Sequence, residues 1–319
     1  MGCRYTYNDA CRQSWWADVR VTRSEFIRLA GSLALALLGS AVLTGCARGK
    51  PMSHEQAVGD PNVLVVYASC ALVPPVDSLR KQFESANPGK TLLIEGGEPA
   101  ALVKKLQGGS AADVFMCLGQ SEAGLLEREG LLEPSTRREI GEFSLVLATP
   151  ASKPSAVTDA ESLTSPDIKA IVMAAPGITS LGTDGKHSLD RLKVWNKIQD
   201  KLQLQASPLA AAQVLSKGEA DVGVMYDPCP LLRLPGKIAP NTLAVVAPLK
   251  AGGEKPAAIQ MVICKHSQKT ALGQRFIGFM RSQQARPELE AAGIPVQGAT
   301  ATPKPAPDAA APPAPPAGR

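Results

Sequence analysis

The sequence predicts an α/β fold in two lobes with a cleft between them. Short apolar runs of strand length alternate with helices that carry one apolar face, the pattern of a parallel sheet covered on both sides. That alternation occurs twice, once before and once after an apolar run at 143–148. A chain of 319 residues, 45% apolar and 20% charged, suffices for two modest cores.

Val63, Leu64, Val65 and Val66 open a β-branched strand at 63–68. Pro74 and Pro75 start a helix, because the N–H that proline lacks would be unpaired in a first turn anyway. Its apolar face is Val76, Leu79 and Phe83, and Asn87, Pro88 and Gly89 end it. A strand at 91–94 leads to a helix at 99–106 with Leu102, Val103 and Leu106 inward. A third strand at 113–116 is followed by a helix through Leu125 and Leu126. Past 143–148, a strand is expected at 170–174 and a helix at 188–202, with Leu189, Leu192, Trp195 and Ile198 on one face. Gly182, Thr183, Asp184 and Gly185 read as a turn before that helix. Ser207 caps a helix at 208–217 and Gly218 stops it. Strands follow at 221–226, 242–247 and 258–263, and a last helix passes through Leu272, Phe276 and Phe279. The expected division is lobe 1 at 62–143 plus 265–297 and lobe 2 at 144–264. In such sheets a ligand sits beyond the carboxyl ends of the strands, where helix N-termini offer N–H groups to an anion.

Composition narrows the function. The net charge of +5 is spread without a basic run, and aromatics are 4% of the chain, so no nucleic-acid surface is indicated. No phosphate loop or nucleophile elbow occurs, and the chain is not read as an enzyme.

The ends are distinctive. Arg20, Arg23 and Arg28 precede an apolar stretch at 29–43, too short for a comfortable membrane span. It ends in Leu43, Thr44, Gly45 and Cys46, which resembles the bacterial lipobox. The expectation is a signal peptide at 1–45, lipid on Cys46 and an extracytoplasmic, membrane-anchored protein; a plain signal peptide or a short membrane anchor is the alternative. Residues 46–61 read as a tether and the Pro/Ala-rich 298–319 as a disordered tail.

Five segments fall in the order and spacing of the periplasmic molybdate-binding proteins: 65–72, Phe83, 112–116, 144–150 and 219–226. The stretch at 108–116, Gly-Gly-Ser-Ala-Ala-Asp-Val-Phe-Met, is the strongest of them. The chain resembles that family over 62–296. The resemblance implies a periplasmic-binding-protein-like receptor that closes on a tetrahedral oxyanion, molybdate or tungstate, and delivers it to an ABC permease. No cofactor beyond that ligand is expected, and the protein is expected to be a monomer, held by the lipid anchor that the lipobox indicates.

The family grips its oxyanion with backbone N–H groups, Ser hydroxyls and a Tyr hydroxyl. The Tyr stands here as Tyr226. The Ser after the first strand falls at Ala71, with Ser69 and Cys70 just before it, and the later Ser pair falls among Glu98, Pro99 and Ala100. A carboxylate at Glu98 facing the cleft would repel a dianion, so molybdate binding weaker than the family norm is expected.

Four cysteines remain after cleavage: Cys70, Cys117, Cys229 and Cys264. The first three fall at carboxyl ends of strands. They read as small buried residues, as a Cys70–Cys117 disulfide, or as a soft-metal site of Cys70, Glu98 and Cys117. The last reading gives the alternative function, a thiol-lined metal-binding or redox protein on the same scaffold; a signalling receptor is a third. His187 is expected near the cleft, with His54 and His266 lacking a partner by spacing.

Overall fold

The computed structural model describes residues 52–153, 157–227, 229, 238–239, 241–252 and 256–296. The signal peptide expected at 1–45, Cys46 and the tail expected at 298–319 lie outside the described residues.

Lobe 1 is built on β1 (Val63–Ser69), β2 (Thr91–Gly97) and β3 (Val114–Leu118), all parallel, with β9 (Ala257–Ile263) antiparallel to β3. All seven residues of β1 are buried, so both faces of this sheet are covered. Side chains alternate between faces along a strand. Leu64, Val66 and Ala68 therefore join one core with Leu79 and Phe83 of α2 (Val73–Ala86) and Phe276 and Phe279 of α7 (Thr270–Met280). Val63, Val65 and Tyr67 join the other with Leu102 and Leu106 of α3 (Pro99–Gln107) and Leu126 of α4 (Ser121–Arg128). Phe83 meets Phe276 edge-on at 5.5 Å between centroids, and each fully buried side chain of this size contributes about 1.5–3 kcal/mol.

Asp113, in the strongest segment of the resemblance, has a structural part. Its carboxylate accepts from the Val65 N–H at 2.8 Å and the Ser267 hydroxyl at 2.7 Å, and pairs with Lys269 at 3.0 Å. Lys269 also donates to the carbonyls of Ala57 and Val63. A buried charge pair needs such surrounding hydrogen bonds to offset its lost hydration.

The tether expected at 46–61 is corrected over its second half. Ser53 and Gln56 form a capping box that starts α1 (His54–Gly59), and Ala57 is buried against lobe 1. His54 has a partner after all, the carboxylate of Glu95 on β2.

Lobe 2 is built on β5 (Ile171–Ala174), β6 (Leu202–Gln205) and β7 (Val222–Asp227), mutually parallel, with β8 (Leu243–Pro248) beside β4 (Arg138–Pro150). β4 serves both lobes. Its start pairs β9 and its end, from Ser144, pairs β7 and β8, giving one path β2-β1-β3-β9-β4-β7-β5-β6. The strand is bent by a register shift between Ile140 and Phe143, where Gly141 has φ +75°. A Cβ at Gly141 would sit 2.9 Å from the Phe143 ring and 3.2 Å from the Pro295 carbonyl, so glycine is required.

Two expectations for lobe 2 are corrected. The boundary at 264 assigned β9 to lobe 2, but β9 pairs with β3 and completes the lobe 1 sheet. The helix expected at 188–202 is α5 (Ser180–Arg191), which begins eight residues earlier and takes in Gly182 to Gly185. Thr179 caps it by accepting from the Gly182 N–H at 3.3 Å. Glycines are tolerated because the helix lies close to the sheet: a Cβ at Gly182 would be 2.3 Å from the Ala175 carbonyl. Lys193, at φ 59°, ends the run, and two single turns carry Trp195 and Ile198 to the same core before β6. The last helices are α6 (Pro208–Ser216) and α8 (Arg286–Ala291).

Candidate ligand-binding cleft

The carboxyl ends of strands from both lobes meet at one small cavity of about 40 Å³. It has room for a few waters or one small ion. β1 delivers Ser69, Cys70 and Ala71; β2 leads to Glu98 and Pro99; β3 ends at Leu118, with Glu122 beyond it on α4. From lobe 2 come Thr179, Ser180 and Leu181 after β5, Pro208 and Leu209 after β6, and Tyr226 and Cys229 from β7. The turn at Cys70–Leu72 that opens α2, and the starts of α3, α5 and α6, all reach the cavity. Helix starts carry partial positive charge and N–H groups, so their convergence favours an anion. Pro99 and Pro208, at first positions, contribute no N–H.

One helix start is already occupied. Glu122, only 4% exposed, accepts the Ser180 N–H at 3.0 Å and the Ser180 hydroxyl with its second oxygen. The Ser121 N–H donates to the same hydroxyl at 3.0 Å. Burial, offset in part by the Ser180 bonds, pushes the Glu122 carboxyl above its usual range. Gly119, at φ +93°, permits the approach, since a Cβ there would overlap Ser180. The two lobes are thus in direct polar contact.

Tyr226 is 4% exposed, and its hydroxyl donates to Asp184 of α5 at 2.7 Å. Burial first, then the Asp184 carboxylate, hold the phenol well above its ordinary pKa, so it remains a donor. Asp184 was hidden in the stretch read as a turn. Glu122 and Ser180 were also missed; Thr179 with Gly182 three residues on was the one local signal, a helix cap.

Of the sequence-predicted residues, the structure brings Ser69, Cys70, Ala71, Glu98 and Tyr226 to this cavity and leaves Cys117 out. Ser69 donates weakly to the Met116 carbonyl at 3.4 Å, and Cys70 faces Glu98, Sγ to Oε1 3.6 Å. Cys117 lies in the core with Tyr67 and Phe115. Its thiol turns to the Gly119 carbonyl at 3.6 Å, and burial, then the Glu122 carboxylate, push its pKa well up. The trio Cys70, Glu98 and Cys117 therefore does not assemble, and among the described residues no group of three His, Cys, Asp or Glu has metal-holding geometry. Among the described residues no disulfide joins Cys70 to Cys117, and Cys229 rather than Cys117 packs against the Cys70–Ala71 pair. His187 is exposed on α5.

Residues 64–294 match the family described as bacterial extracellular solute-binding protein. The chain belongs to that family. This solute-binding protein is 22% identical to YvgL of Bacillus subtilis over 259 residues, 81% of this chain and 95% of that one; YvgL carries the provisional name ABC transporter substrate-binding lipoprotein. It is 22% identical to the molybdate-binding protein ModA of Haemophilus influenzae over 236 residues, 72% of this chain and 89% of that one. Its fold is similar to the periplasmic molybdate-binding protein of Azotobacter vinelandii, with a TM-score of 0.56, 22% identity, and coverage of 73% of this chain and 99% of that one. The two-lobed α/β architecture is shared with that structure. Among the described residues, no helix is long and apolar enough to cross a membrane.

Proposed function

We propose that this protein is the extracytoplasmic receptor of an ABC importer, anchored by lipid on Cys46, and that its cleft takes a small tetrahedral oxyanion, molybdate or tungstate first. The observation that carries this reading is the meeting of helix starts from both lobes at a cavity of about 40 Å³ beside the Tyr226 hydroxyl. Such a site would hold a dianion by the N–H groups at its helix starts, and by the Tyr226 and Ser180 hydroxyls once these turn from Asp184 and Glu122 to the ligand. The relatives bearing molybdate in their names support the choice of ligand, and the lipoprotein name of YvgL supports the anchor. Closure on the ligand is what a membrane permease would recognise. Calorimetry of the purified chain with molybdate, tungstate and sulfate tests it. Saturable binding of at least one is expected; heat from none of them would end the oxyanion reading.

A second reading has one observation in its favour. Cys70 and Cys229 come from opposite lobes and share the cavity with Glu98, Cys229 packing against the Cys70–Ala71 pair. A receptor whose opening answers to thiol chemistry would need such a pair.

A further inference from the structure

Behind Tyr226, on the hinge side, lies a second cavity of about 310 Å³. It is far larger than an oxyanion needs and reaches the size at which sites for organic small molecules begin, about 300 Å³. Its inner wall is apolar. Phe143 and Tyr226 stand with ring centroids 6.5 Å apart, and Leu145 and Leu249 complete that wall. Arg191 and Lys250 bring positive charge to it. Arg191 shares a face of α5 with His187, four residues before it, and Lys250 comes from the segment after β8. Arg191 is tied down by donating to the Gly252 carbonyl. Among the described residues the lining has one carboxylate, Asp184, and that group already accepts the Tyr226 hydroxyl.

Shape and charge together define an occupant. A purely inorganic anion would leave the apolar wall wet, and a neutral apolar molecule would leave Arg191 and Lys250 without a counter-ion. We propose that this cavity is a second ligand site, for a small organic carboxylate whose apolar body rests on Phe143, Leu145 and Leu249 and whose charge meets Arg191 and Lys250. Guanidinium and carboxylate match as a bidentate pair, and the apolar body gains by leaving water.

The walls come from lobe 1 at Gln120, from β4, from α5 and from the second inter-lobe segment at Lys250 and Ala257. The site therefore exists in full only at one hinge angle. A carboxylate bound there stabilises that angle, and by reciprocity anything that holds that angle tightens carboxylate binding. The proposal does not depend on which ligand fills the cleft in front of Tyr226.

The test uses the full chain with benzoate, phenylacetate and 3-phenylpropionate, and with the uncharged amide of each, followed by calorimetry and saturation-transfer NMR. At least one acid should bind, with its amide about tenfold weaker or worse. Arg191→Gln and Lys250→Gln should each weaken the acid about tenfold while leaving the amide unchanged. Lys250 is exposed, so its variant folds even where loss of the Arg191–Gly252 contact harms the other. Binding by none of the acids overturns the proposal. So does equal binding of acid and amide, or acid binding indifferent to Lys250→Gln.

Discussion

Glu122 of lobe 1 accepts both the backbone N–H and the hydroxyl of Ser180 in lobe 2, so a side-chain carboxylate occupies the start of α5. The groups around this contact are Asp184 and Cys117, which lie close enough to act on the neighbouring titrations, and the donors of Ser180 and Ser121. Opening the cleft would return Glu122 to water and its pKa toward the ordinary range. The closed form therefore binds the Glu122 proton more tightly than the open form. Closure is favoured at acid pH, below the open-state pKa, and that advantage is lost as pH rises through the raised closed-state value. Small-angle scattering of the ligand-free protein should give a smaller radius of gyration at about pH 5 than at about pH 8. Glu122→Gln should remove the difference. A radius that stays constant in wild type would refute the assignment.

Glu98 sets the second expectation. It lines the cavity beside Cys70 and places a carboxylate where a dianion would sit. Glu98→Ser should strengthen molybdate binding by about tenfold, the effect of removing one nearby like charge. Calorimetry on both proteins measures it, and equal affinities would show that Glu98 does not face the ligand.

The cysteines should differ in reactivity. Burial holds the Cys117 and Cys264 thiols above their ordinary range, Cys264 with help from the Asp113 carboxylate, and thiolate is the reactive form. Cys229 is half-buried. Alkylation of the native protein should label Cys229 first and Cys117 and Cys264 last, read by peptide mass mapping. A small-molecule disulfide used as oxidant should join Cys70 to Cys229, itself being reduced to two thiols. A Cys70–Cys117 product would contradict the packing seen here.

Attachment through Cys46 is tested in a bacterial host. Wild type should incorporate labelled fatty acid and fractionate with membrane, and Cys46→Ser should do neither. A wild-type chain without label would defeat the anchor.

Much of the fold was legible because strands such as β1 are continuous apolar runs with the length and composition of a buried strand. The start of α5 was not, because Gly182 and Gly185 signal a turn locally and are excused only by contact with β5 and β7. The lobe to which β9 belongs was not legible either, since strand partners are set by topology and not by local pattern. At the cleft, the rule that ligands gather at strand ends located Ser69 to Ala71 and Glu98. It also drew in Cys117, one residue before the strand's end, because parity decides which face a side chain takes. Glu122 and Ser180 lie 58 residues apart, and no spacing rule links them.

β4 passes from one lobe to the other as a single uncut strand, kinked at Gly141 and clamped at each end by a different set of neighbours. A mechanism of this kind moves as a leaf spring does. Opening need not break a row of inter-strand bonds; it can flex the bend, and the bend pushes back. The rest angle is then a property of the spring, and the force a permease must apply to empty the receptor is set far from the ligand, by whatever packs against one residue that has no side chain.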